Sequence, residues 1–198
     1  IDANGVTGNM SVTDEVTLSD GELILMPFTG NVAINTSSSA PVGLFVGVAS
    51  MGINGNGLAG SVTINGSADI DGGSVDFSNL AAGGSVTITG NLDVNASTVD
   101  LSSTIGTTIN GNLTLASAST LDTSGNFSGI EIDGATGATI SGGSTWTAST
   151  GGAQSDHVNI SAGGLSVTGS STVTADSLTS GLTPPASFAV ATATVIGG

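Results

Sequence analysis

The chain has 198 residues, 15 Asp and Glu, one His and no Lys, Arg, Tyr or Cys, for a formal net charge of −15. Without cations it cannot neutralise phosphates, which excludes nucleic-acid binding and phosphoryl-transfer chemistry, and an anionic membrane surface repels it. No disulfide framework is possible and no apolar run is long enough to span a bilayer, while 56 Ser and Thr and 32 Gly set among many Val, Ile and Leu argue against disorder.

The chain opens at Ile1 with neither the basic region nor the apolar run of a signal peptide, as expected of a processed mature chain or an excised domain. Over residues 6–60 short alternating segments recur in loose register: Met10-Ser-Val12, Val16-Thr-Leu18, Leu23-Ile-Leu25, Val32-Ala-Ile34, Leu44-Phe-Val46 and Met51-Gly-Ile53. Thr36–Pro41 reads as a loop.

From Ser61 to Asp176 the register tightens into a repeat. Each unit begins with a segment apolar or β-branched at i and i+2: Val62-Thr-Ile64, Val86-Thr-Ile88, Thr107-Thr-Ile109, Ile130-Glu-Ile132 and Val158-Asn-Ile160, stepping by 24, 21, 23 and 28 residues. A second segment follows each, from Ala68-Asp-Ile70 to Leu165-Ser-Val167, and then a third, from Val75-Asp-Phe77 to Val173-Thr-Ala175. Alternation sends successive side chains to opposite faces of a strand. Three such strands recurring at this period predict a solenoid, with each strand pairing in parallel with its equivalent one coil on.

The expected architecture is therefore all-β: a right-handed parallel β-helix with three strands per coil and about seven coils of 21–30 residues. The inward columns would be Ile64-Ile88-Ile109-Ile132-Ile160, Ile70-Val94-Leu115-Ile140-Val167 and Val75-Val99-Leu121-Trp146-Val173. Gly66, Gly90, Gly111 and Gly134 mark the corner after the first strand, where the turn needs positive φ or close approach. One solenoid domain is expected over residues 1–181, clearest at 61–176. Residues 182–198 read as a linker, Leu182-Thr-Pro-Pro185, and a final apolar strand from Phe188, a candidate subunit contact.

The phrase SVTITGNLDVNAST, repeated with drift, resembles the right-handed parallel β-helices of bacterial surface proteins, filamentous-haemagglutinin-like exoproteins and autotransporter passenger domains above all. The resemblance spans about 60% of the chain. It implies the right-handed coil, in line with the general hand of parallel crossovers, and an extracellular or cell-surface location. It also implies an adhesive or fibrous role. This chain departs from those proteins in its shortness and its lack of Lys and Arg.

Polysaccharide lyases built on such coils use a cationic base, and none exists here. A hydrolase needs paired carboxylates in a cleft. Asp69 with Asp71, and Glu131 with Asp133, each flank an inward residue, but any solvated strand face produces that spacing. His157, the only histidine, stands beside Asp156 without a matched nucleophile. No catalytic residue is assigned and no cofactor is required, so a non-enzymatic chain is expected. The sharper feature is Asp76, Asp100 and Asp122, which take the same outward position of the third strand in successive coils. At about 4.8 Å, like charges repel by roughly 1 kcal/mol in water, and such a ladder recruits a cation, Ca²⁺ being the natural partner of hard oxygens. Screened surface carboxylates are the plainer reading.

Flat solenoid faces with ranks of Thr-x-Thr bind ice. The first face carries Thr63-x-Asn65, Thr87-x-Thr89 and Thr108-x-Asn110, but acids break the rank at Glu131-x-Asp133. Seven Asn-x-Ser/Thr sequons, at Asn9, Asn35, Asn65, Asn95, Asn112, Asn126 and Asn159, allow glycosylation.

A solenoid has two open ends that natural proteins cap. No capping helix is legible, and both terminal regions are apolar. Copies of the chain itself, joined head to tail or by strand donation, are the expected partners, giving a filament subunit. An adhesin or glycan-binding passenger is the alternative, although aromatic residues are only 3% and offer no sugar platform.

Overall fold

A computed structural model describes residues 8–25, 30–35, 42–53, 60–78, 80, 84–102, 106–124, 129–148, 157–175, 177–180, 186–189 and 192–195. Every element among them is a strand, every strand pairing is parallel, and the strands wind into a β-solenoid of about five turns.

One sheet of eight strands takes every segment of the first kind in chain order: Met10–Val12, Val32–Asn35, Val62–Asn65, Val86–Ile88, Thr107–Ile109, Ile130–Ile132, His157–Ile160 and Ser177–Ser180. Its central column runs Val12, Ile34, Ile64, Ile88, Ile109, Ile132, Ile160, with Cα partners in direct register at each step. The other sheet, of 14 strands, holds the second and third kinds. There Val46, Ile70, Val94, Leu115, Ile140 and Val167 stack, and so do Met51, Val75, Val99, Leu121, Trp146 and Val173. All three expected columns are present and continue into the looser N-terminal segments. Their side chains form one buried core in which Trp146 is 0% exposed. No single coil could bury that apolar area alone; the stack does.

The glycine corner works by close approach. A Cβ on Gly111 would lie 2.5 Å from the Gly90 carbonyl carbon, and one on Gly134 would lie 2.4 Å from that of Gly111. The turns therefore nest backbone on backbone, and the ladder passes through them: Gly90 N–H donates to Gly66 O at 2.8 Å, Gly111 N–H to Gly90 O at 2.9 Å and Gly134 N–H to Gly111 O at 2.9 Å.

A second corner, between the second and third strands, is set by left-handed residues: Gly72, Ala96, Ser117 with Ala118, Gly142 with Gly143, and Gly169 with Ser170 all have positive φ. Immediately after it comes a column the sequence reading did not single out: Gly73, Ser97, Ser119, Ser144 and Ser171. The four serines are buried. Each hydroxyl accepts the N–H of its equivalent one coil back: Ser97 from Gly73 at 3.1 Å, Ser119 from Ser97 at 3.3 Å, Ser144 from Ser119 at 3.1 Å and Ser171 from Ser144 at 3.1 Å. Ser97 Oγ donates to Ile70 O and Ser119 Oγ to Val94 O, both at 3.0 Å. The hydroxyls thus satisfy buried backbone that the corner would leave unpaired.

Two segments depart from expectation. Val16–Leu25 and Val42–Ile53 are long strands of 10 and 12 residues, each running through the position where later coils turn. The pair is in register from Val16↔Leu44 to Leu25↔Ile53. At the other end, the stretch read as one apolar strand is two, Ala186–Ala189 and Thr192–Val195, which pair with Gly164–Thr168 and Thr172–Ala175 of the same molecule. Leu182–Pro185 lie outside the described residues.

Candidate functional site

The solenoid brings Asp76, Asp100 and Asp122 together: Asp100 is the register partner of both the others. The column opens at Gly52 and gives way to Thr147 after Asp122. Each carboxylate already has a local task, because each closes an Asx turn where the chain leaves the strand. Asp76 Oδ1 accepts the N–H of Ser78 at 2.9 Å and its hydroxyl at 2.6 Å. Asp100 accepts Ser102 N–H and Asp122 accepts Ser124 N–H, both at 2.9 Å. Among the described residues no group of three or more His, Asp or Glu is arranged to hold a metal ion.

A second acid pair lies around the corner. Asp69 and Asp93 are register partners on the outward side of the second strand, with Asp71 two residues from Asp69. Partial burial, then the charges of Asp93 and Asp71, push the Asp69 carboxyl above its ordinary value. Asp71 is relieved by Asn95, whose Nδ2 donates to it at 2.8 Å. Spacing along the strand pairs Asp69 with Asp71; the stronger electrostatic neighbour is Asp93, 24 positions on and its register partner.

Glu131 and Asp133 stand exposed on the first face. Ser161 Oγ donates to Asp133, and Asn159 Nδ2 donates to Glu131 at 3.5 Å, so these acids are tied to neighbours one coil on. His157 begins a strand whose backbone pairs with Ser177–Ser180, while Asp156 lies outside the described residues. Beside Glu131 the first face has a shallow groove of about 220 Å³, bordered by Ser85, Thr87, Thr107 and Thr108. It is uncharged apart from Glu131. An apolar cavity of about 400 Å³ opens between the first coils, among Met10, Val12, Leu18, Leu23, Ile34 and Met51.

Of the sequons, Asn126 lies outside the described residues. Asn9, Asn35 and Asn112 serve the stack. Asn9 Oδ1 accepts Asn31 N–H at 3.0 Å, Asn35 Nδ2 donates to Val12 O at 3.1 Å, and Asn112 Oδ1 accepts Thr136 N–H at 2.9 Å. No helix of the described residues is long and apolar enough to cross a membrane.

No family model, curated protein or solved structure matches this chain.

Proposed function

We propose that the chain is a non-enzymatic structural subunit of an extracellular or cell-surface filament, and that copies associate through the ends of the solenoid. The proposal includes a right-handed coil of three strands, about seven coils in all. The observation that carries it is the pairing of the terminal strands. Met10–Val12 and Val16–Leu25 at one end, and Ser177–Ser180, Ala186–Ala189 and Thr192–Val195 at the other, are each hydrogen-bonded on one side only among the described strands. Such edges are templates for a further strand in the same direction. At the N-terminal edge the core also opens into the apolar cavity. All the charged side chains are acidic, so the flanks of such units repel while the ends meet.

Calcium, where the Asp76–Asp100–Asp122 column takes it, would stabilise the surface of this fibre rather than serve as a cofactor. Negative-stain microscopy of the intact chain tests the reading: fibres one solenoid wide are expected, and a monomer at all concentrations contradicts it. Deleting Pro185–Gly198 removes the last strand pair and should abolish fibres; unchanged fibres would rule out strand donation by that segment. The second reading, a glycan-binding passenger, draws on the hydroxyl-lined groove beside Glu131, and a monomer that binds a neutral sugar would favour it.

A further inference from the structure

The outward side of the third strand carries a regular array of hydroxyl side chains. Thr145-Trp-Thr147 pairs in direct register with Thr172-Val-Thr174, which pairs with Thr192-Ala-Thr194. Two columns of outward threonine result, Thr145-Thr172 and Thr147-Thr174, and the backbone register carries both on to Thr192 and Thr194. The first column continues upward through Thr120, Thr98 and Ser74. The second becomes the aspartate column. Rungs of a parallel stack repeat at about 4.8 Å, and alternate residues of a strand at roughly 6.6 Å. The array is therefore a two-dimensional lattice, with no register shift between any of its strands.

Three observations make this lattice more than composition. First, it is rigid. Trp146 and Val173 lie buried directly beneath it, and the Trp146 indole N–H donates to Thr123 Oγ1 at 3.1 Å. Second, Thr145, Thr147, Thr172 and Thr174 are all half-buried, so their side chains are held in ranks with one side toward solvent. β-Branching leaves each with few rotamers. Third, the first face, with the same fold and the same strand spacing, is interrupted: Thr108 is followed in register by Glu131 and Asn159. The second face carries Thr114, Thr139 and Ser166 in register, but only after Asp69 and Asp93 and in a single column, so the paired threonine columns belong to the third face.

We propose that this face binds ordered water, and specifically the surface of ice. A carboxylate or ammonium imposes its own hydration shell. A fixed threonine offers one hydroxyl to a water lattice and one methyl that leaves neighbouring waters bonded to each other. The rung spacing lies close to the shorter oxygen repeat of hexagonal ice, and the second column gives the patch its width. Water can thus be held in an ice-like layer before the crystal is met, so little ordering remains to be done at contact. The three aspartates mark the upper limit of the patch. This inference does not depend on the filament reading: a monomer would carry the same face, and a fibre would multiply it.

The test is inhibition of ice recrystallisation by the full chain, with crystal shape in a freezing droplet as a second readout. The intact protein should keep annealed crystals small and impose facets. Thr147→Tyr with Thr174→Tyr, which places bulk in the middle of the array, should return crystals to the size seen with serum albumin at equal concentration. The matched first-face control, Thr87→Tyr with Thr108→Tyr, should behave as the unmodified chain, and equal melting temperatures for the two variants separate a lost surface from a lost fold. Asp122→Thr lengthens the second threonine column by one rung and should strengthen the effect. Round, coarsening crystals with the unmodified chain overturn the proposal, and so does a third-face variant as active as its first-face control.

Discussion

Two parts of the solenoid are built from the same columns and packed very differently. In the stretch from Val62 to Ala175, each second and third strand is separated by a left-handed corner and a buried serine or its glycine equivalent. The central core there leaves a void of only about 10 Å³, among residues such as Ile70, Val75 and Val99. In the stretch from Met10 to Ile53 the strands run through and, although Gly21 is left-handed, no buried serine follows it; Val48 stands 76% exposed, and the cavity at the edge reaches about 400 Å³. The comparison teaches that inward apolar columns set the direction of the coil, while the polar corner closes it. A long parallel strand can carry two inward positions, but without the corner its core stays open on one side.

The sharpest way to test that difference is one substitution made twice in one column. Leu115 is fully buried and Leu18 half-buried, both facing inward on the second strand. Leu115→Ala should cost about 2–5 kcal/mol of stability, while Leu18→Ala, at the open end, should cost about 1 kcal/mol, the part of its transfer energy that burial supplies. Urea unfolding midpoints read both; equal losses would remove the distinction between the regions.

The corners give the next largest effect. Gly111→Ala drives a methyl into the Gly90 backbone and should cost about 1–3 kcal/mol as the rungs part. Gly21→Ala meets nothing within 4 Å, and only its left-handed φ of +88° resists; that should cost about 1–2 kcal/mol. A Gly111→Ala variant as stable as the parent would contradict nested turns.

Ser119→Ala leaves the Ser97 N–H unpaired in a buried corner and should cost about 1–3 kcal/mol. Ser19→Ala, exposed on an uninterrupted strand, should change nothing measurable. Denaturation of both variants side by side checks whether the serine column, rather than serine content, closes the coil.

The smallest effect is electrostatic. A carboxyl whose folded-state pKa is raised binds more protons folded than unfolded, so it lowers stability as pH rises from its ordinary value through the raised one. Asp69→Asn removes that penalty. It should stabilise the protein at pH 7 by less than about 1 kcal/mol, since Asp69 is largely solvated, and the gain should vanish below the ordinary carboxylate value of 3.8. A gain that persists at pH 3 would point to packing instead.

How far the sequence spoke can be judged from these same residues. Ile64, Ile88 and Ile109 were legible because a period of two marks the inward face whatever the coil length. The continuity of Val16–Leu25 was not, because Ser19-Asp20-Gly21 carries the residue types of a corner; what it lacks is the buried hydroxyl that later corners place after the turn. The division of Ala186–Val195 into two strands was hidden by Ala and Thr, which serve equally inside and outside. Asp69 and Asp93 could have been paired once the repeat was aligned, since Ala68-Asp-Ile70 sits over Leu92-Asp-Val94. The threonine array needs the same step on the third face, where the alternation in Thr145-Trp-Thr147 marks the inward tryptophan and the alignment of coils marks the threonines.

The account rests on rungs stacked in parallel register, and spin-label distances measure that directly in a chain with no native Cys. Thr63, Thr87, Thr108, Glu131 and Asn159 are successive partners in one outward column, and Thr179 is the next residue in backbone register. With one label at Thr63, moving the second from Glu131 to Asn159 to Thr179 should lengthen the mean distance by about 4.8 Å at each step. Distances that stay level or alternate along that series would place these strands in separate layers or hairpins and contradict the solenoid.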